Sequence, residues 1–263
     1  MQSFELPLVF FTVLSQAAIG IALTAAVRAR GGVDSDNAQR QWRMTAGLMV
    51  VGLIASLFHL GHPTGAPNAL KHLSTAWLSR EVLSAGLFVG LAILAAFSVG
   101  KKGNPVLALL GAVLGLVVIF STGMTYAPPA YPAVNNALPA TFFLTTAVIL
   151  GAGFASWFAG GERQPLLARI FTTGLVVGVV LYLVAPCVWL SGGKVMRLTG
   201  QAWFASGLYW THVGVLVVSL AVMVKTRTIP VWLPILVLFG ELAGRAGFFV
   251  DTIHTAANMG ALY

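Results

Sequence analysis

Eight stretches of this chain, residues 6–27, 44–60, 78–99, 106–124, 139–158, 170–190, 204–224 and 230–250, are almost continuously apolar over 17 to 22 residues each. At about 1.5 Å of rise per residue, each can cross a hydrocarbon layer about 30 Å thick as a helix. Nothing else constrains the fold so tightly. In lipid the backbone must satisfy its own hydrogen bonds, and long apolar runs do so as helices. The expected fold is all-α: one polytopic membrane helix bundle of eight transmembrane helices, formed as a single integral membrane domain over residues 1–263.

Composition agrees. Only 8% of the residues are charged and mean hydropathy is +0.89, whereas a soluble domain carries about 25% charged residues. The net charge of +8 does not point to nucleic acid, because no basic cluster exceeds two adjacent residues. It points to the asymmetry of membrane loops. Let side A be the side of the N-terminus and side B the opposite side. Side B loops hold ten basic residues (Arg28, Arg30, Arg40, Arg43, Lys101, Lys102, Arg163, Arg169, Lys225, Arg227), and side A loops hold four (Lys71, Arg80, Lys194, Arg197). Side B is therefore expected to face the cytoplasm, with both termini outside. The seven tryptophans fall at or near span ends, where amphipathic rings settle at the water interface. The start "MQSFELPL" lacks a positive n-region and reads as the beginning of a retained span.

Cys187 is the only cysteine. An iron–sulfur centre takes about four thiolates, so any such cluster must belong to a partner. No zinc site is expected, since no third ligand stands at metal-site spacing from His59 and His62. The uncharged side A segment "TYAPPAYPAVNNALPA" holds four prolines, Tyr126 and Tyr131; it reads as a stiff docking loop or a packed lid, and both remain open.

The titratable groups are unevenly placed. All five histidines map to the side A half: His59, His62 and His72 at the first outer hairpin, His212 in the seventh run and His254 after the eighth. Counted from Met44, His59 lies about 22 Å along its helix and just inside the side A boundary, where an imidazole needs a hydrogen-bond partner. It is either a packing histidine or a working one. His62, between Gly61 and Pro63, is expected in the loop, and His72 beside it. Glu81 has an ordinary reading as a first-turn acid of a helix capped by Ser79, beside a functional one. Arg80 reads as an interface anchor. In the last run "GELAGRAGFFVDTIH", Glu241 and Arg245 share a face at i,i+4, about 16 Å and 22 Å from the helix start. Their cost in lipid implies a pairing with each other or with a neighbour. Structural glue leads, with a proton route or a polar cofactor wall as the other reading. Gly240 and Gly244 form a G-x-x-x-G that admits a close neighbouring helix.

These residues carry a resemblance. The segments "FELPLVFFTVLSQAAIG", "ASLFHLGHPTGAPNAL" followed by "LSREVLS", "ATFFLTTAVILGA" and "FGELAGRAGFF" resemble the membrane anchor subunit of dimethyl sulfoxide reductase, the DmsC-type family. The resemblance implies eight helices, no bound haem, and a quinol site, with menaquinol as the expected carrier. Electrons would pass to an iron–sulfur partner subunit and on to a molybdopterin catalytic subunit in the bacterial inner membrane, in anaerobic respiration. It places the family's quinol-linked histidine on His59 and its acid on Glu81; no role passes to His62. Arg80 and Arg245 are the further candidates for lining the carrier's site. The expected mechanism has neutral His59 take a hydroxyl proton, Glu81 pass it outward, and electrons leave on side A. A quinone reductase running in reverse, a haem-binding cytochrome b-type subunit using His59 with His212 or His254, an ion-coupled transporter and a purely structural anchor are the alternatives.

Overall fold

A computed structural model describes residues 5–30, 37–59, 63–100 and 103–258. Nine α-helices follow one another among the described residues: α1 (Leu6–Arg30), α2 (Ala38–Leu57), α3 (Trp77–Ser98), α4 (Pro105–Thr125), α5 (Leu138–Ala155), α6 (Gln164–Leu190), α7 (Lys194–Ala205), α8 (Gly207–Thr226) and α9 (Leu233–Asp251). No strand occurs among them. Seven of these helices, all but α2 and α7, are long and apolar enough to cross a membrane. The protein is a multi-pass membrane protein.

The helix α2 has 20 residues, enough by length. Its first turns are polar because it begins six residues before the expected apolar run. Gln41 is buried against α1, where its amide donates to the Ile21 carbonyl at 3.0 Å and its oxygen accepts from Arg28. These bonds hold Arg28 inside the protein at the side B end.

The helix α7 is absent from the expectation, which treats Lys194 and Arg197 as loop residues. Twelve residues with Thr199, Gly200 and Trp203 buried and Lys194, Arg197 and Gln201 exposed form a short amphipathic helix. Extended Ser206 separates it from α8, and its hydroxyl caps α8 by accepting from Tyr209 N at 3.5 Å. Two tryptophans assigned to the interface, Trp189 and Trp203, are instead packed edge to face with centroids 4.8 Å apart inside the protein. Trp42 is likewise buried.

The interior centres on α1 and α5. Association of helices in lipid lacks a hydrophobic drive and depends on close packing, so small residues lie at the contacts. Gly20 and Gly151 meet backbone to backbone, and a methyl on either would collide with the other helix. Around them Ala17, Ala18, Ala22, Ala147, Ala152 and Ala155 are buried. Between α8 and α9, Gly240 lies under Val215 and Gly244 under His212, where a Cβ would be 2.5 Å from Nδ1. The G-x-x-x-G thus admits α8, as its spacing suggests.

Candidate functional site

The helix α3 starts after Ala76, one turn earlier than a Ser79 cap requires. Ser79 is buried within the first turn and Glu81 lies beyond it, so the capping explanation for the acid does not hold. The reason is local. Arg80 donates to the carbonyls of Leu73 and Ser74 at 3.0 and 2.7 Å and lies 4.3 Å over the Trp77 ring, which fastens the preceding turn to the helix start. Arg80 therefore acts as a brace of the hairpin.

A hydrogen bond of 3.1 Å between the hydroxyls of Ser84 and Ser121 sets the register of α3 on α4. One turn outward, this register brings the Glu81 carboxyl opposite the hydroxyls of Thr122 and Thr125. Glu81 is only 3% exposed, and its Oε2 has no hydrogen-bond partner. A buried, half-satisfied carboxyl costs about 1–3 kcal/mol or more. Such a group inside a membrane helix marks a working site more often than a packing one.

His59 stands differently. The helix α2 ends at Leu57, Phe58 follows as its C-cap, and the His59 amide closes a turn on the Ser56 carbonyl at 3.3 Å. Its side chain is exposed, past the helix and not on its last turn. Pro63, which opens the following 3-10 helix (Pro63–His72), disfavours helical backbone at the residue before it. His62 lies outside the described residues. His72 is exposed at the end of the 3-10 helix, its carbonyl accepting from Thr75 and Ala76 at 3.1 and 2.8 Å.

An apolar groove of about 370 Å3 runs beside this turn, lined by Leu6, Pro7 and Phe10 of α1 and by Val51, Ile54, Ala55 and Phe58. Phe58, next to His59, is 80% exposed. The N-terminal end of α1 forms one wall of this groove, with Leu6, Pro7 and Phe10. Glu5, the residue before Leu6, is within electrostatic reach of the Tyr126 phenol, and so is Glu81.

A second polar cluster lies deeper. Arg245 of α9 is 1% exposed. Its Nη2 donates to Gln16 Oε1 at 2.8 Å and to the Thr146 hydroxyl at 3.2 Å, and its guanidinium lies 3.9 Å from the Phe143 ring centre. Thr146 in turn donates to Glu241 Oε2 at 2.7 Å. The pair expected from i,i+4 spacing is thus completed through a neighbour. His212 joins from α8: its Nδ1 bonds the Gly240 carbonyl at 2.8 Å and its ring packs 4.2 Å from that of Tyr182. Arg245 forms no contact with His59 among the described residues. Gln16, the one amide inside the first apolar run, was readable as a polar anchor. Thr146 carried no such signal.

The outer segment after α4 is a packed lid. Ala133 and Val134 are buried, Tyr131 meets His254 edge on at 5.0 Å, and Thr255 N donates to Ala130 O at 2.9 Å.

The family profile of the DMSO reductase anchor subunit (DmsC) matches residues 1–239. The protein belongs to the DmsC family. His59, Arg80 and Glu81 lie within the DmsC match, whereas Glu241 and Arg245 fall beyond it. Among curated DmsC-like relatives, it is similar to the C subunit of the anaerobic dimethyl sulfoxide reductase of Haemophilus influenzae, at 31% identity over 56% of each sequence. It is also similar to the YnfH subunit of an Escherichia coli anaerobic dimethyl sulfoxide reductase, at 28% identity over 69% of this sequence and 65% of that one. A third relative, the C subunit of the E. coli anaerobic dimethyl sulfoxide reductase, is 34% identical over 43% of this sequence and 42% of its own. The matches thus span from under half to just under two thirds of these relatives' length.

Proposed function

We propose that this protein is the membrane anchor and quinol-oxidising subunit of a molybdopterin oxidoreductase complex in the bacterial cytoplasmic membrane. It crosses eight times, α2 included, with both termini and the Glu81 end of α3 outside. The carrier is a quinol, menaquinol by the family expectation, and the partners are an iron–sulfur subunit and a molybdopterin catalytic subunit.

The observation that carries this reading is the buried Glu81 carboxyl, with Oε2 unpaired, at the same end of the bundle as an apolar groove that reaches Phe58, the residue before His59. A quinol combines an isoprenoid tail with two ring hydroxyls. The groove offers apolar wall for the tail, and the two titratable groups offer proton acceptors at its outer end. Oxidation removes two protons and two electrons and leaves a quinone. Glu81 and His59 accept the protons; exposed His59 returns them to the outer solution. The electrons go to an iron–sulfur acceptor in the partner docked on side A, the only redox cluster this scheme uses. Buried Glu81 stands inward of His59, so protons move from the carboxyl side to the imidazole side. This order is the reverse of that inferred from residue positions along the helices.

The test is the Glu81→Gln variant in the assembled complex. Quinol-driven turnover is expected to fall about 10²–10⁴-fold, the usual contribution of a positioned acid–base group, while turnover with an artificial donor to the catalytic subunit is unchanged. Normal quinol oxidation by this variant would reject the assignment.

A further inference from the structure

Tyr126 caps α4 directly after Thr125, its amide bonded to the Thr122 carbonyl at 3.1 Å. Its ring is gripped edge to face by Phe143 and Phe249, with centroids 5.9 and 5.2 Å away. The phenol is therefore aimed by packing, with little freedom beyond rotation of its O–H. Among the described residues that hydroxyl has no hydrogen-bond partner, unlike Tyr209, whose hydroxyl donates to the Tyr182 carbonyl at 2.9 Å.

Its surroundings say what is missing. Glu81, with Oε2 unpaired, and the Arg245 guanidinium are both within electrostatic reach of the phenol. Tyr126 ends α4, the helix that the Ser84–Ser121 bond holds in register against α3 within one turn of Glu81; the phenol is half-buried and the carboxyl buried. A phenol O–H with no partner among the described residues and a carboxylate oxygen with none lie toward the same end of α3 and α4. A ring hydroxyl of a quinol supplies one O–H and two lone pairs, which is the complement of that pair.

Resting on the quinol-site reading, we propose that Tyr126 is a second contact of the carrier: its phenol O–H donates to the ring oxygen whose own hydrogen is directed at Glu81. On oxidation that proton passes to Glu81 and the proton of the second ring hydroxyl to His59, the two electrons pass to the partner's iron–sulfur acceptor, and both C–OH groups become C=O. The carbonyl oxygen can still accept from Tyr126, which keeps its own proton and its oxidation state throughout. Tyr126 thus holds the oxygen in place before and after the step.

The experiment uses the purified complex with a short-chain naphthoquinol as substrate. Tyr126→Phe retains both aromatic contacts and removes only the hydroxyl. It is expected to assemble normally, to keep full activity with an artificial donor, and to raise the KM for the naphthoquinol about tenfold with kcat within about threefold, the value of one hydrogen bond. Tyr126→His, which retains a ring donor, recovers part of that loss. A KM unchanged in Tyr126→Phe while Glu81→Gln is inactive would overturn the contact and leave the quinol site standing. Full activity of Glu81→Gln would overturn both. Equal loss of quinol-driven and artificial-donor activity in Tyr126→Phe would overturn the contact and assign the tyrosine to assembly of the complex.

Discussion

Arg245 and Glu241, one turn apart on α9, are joined by a hydroxyl from another helix: Thr146 accepts from the guanidinium at 3.2 Å and donates to the carboxylate at 2.7 Å. Together with Gln16, this ties α1, α5 and α9 into one unit. The arrangement explains how a cation and an anion are both tolerated near the middle of a membrane helix. Glu241 Oε2 and Arg245 Nη2 are held by groups that water would otherwise have to supply, while Arg245 Nη1 is left without a partner.

Removing one partner is then costlier than removing both. Arg245→Leu leaves Glu241 without its counter-charge and Gln16 Oε1 without its donor, and is expected to destabilise the detergent-solubilised protein by about 3–5 kcal/mol. Thr146→Val is expected to cost less, about 1–3 kcal/mol. Adding Glu241→Leu to Arg245→Leu restores part of the loss. Thermal unfolding of the four proteins checks the order, and additive losses in the double variant would contradict the network.

The groove makes a claim about the carrier's tail. Ala55→Trp fills it from the α2 side without touching His59 or Glu81. At about 0.8 kcal/mol per CH2 removed from an apolar environment, loss of two or three buried methylenes raises the KM for a quinol bearing a full isoprenoid tail by about tenfold or more. The KM for a tailless quinol should not move. Equal effects on the two substrates would place the tail elsewhere.

Topology is open to chemistry because the protein has a single natural cysteine. In a Cys187→Ser background, a cysteine at exposed Gln201 of α7 should react with a membrane-impermeant thiol reagent applied from outside intact cells. One at Gln39, in the first turn of α2, should react only after the membrane is opened. The opposite pattern would invert the bundle.

Much of this architecture was legible along the sequence, and the exceptions share a cause. The apolar runs locate six of the helices to within a few residues, α6 beginning six residues early as α2 does, since lipid demands length and hydropathy from each segment separately. Contacts between helices leave no such local trace. The early start of α2 depends on Gln41 meeting Ile21, and the burial of Trp189 and Trp203 depends on α7 folding back over α6. Glu81 could be singled out as an acid near a span end, but its burial follows from the Ser84–Ser121 register. Likewise the spacing of Glu241 and Arg245 announced a shared face, whereas Thr146, the residue that links them, is an ordinary threonine 95 positions away from Glu241.

The central claim is that a quinol meets this protein at its outer end, against Glu81 and His59. Photo-crosslinking the assembled complex with a quinone carrying an azide on its ring, followed by mapping of the labelled peptide, tests it most directly. The account predicts adducts on the 3-10 helix, the first turns of α3 or the Tyr126 turn, suppressed by excess quinol. Specific labelling confined to the side B ends of the helices, competed by the same quinol, would contradict it.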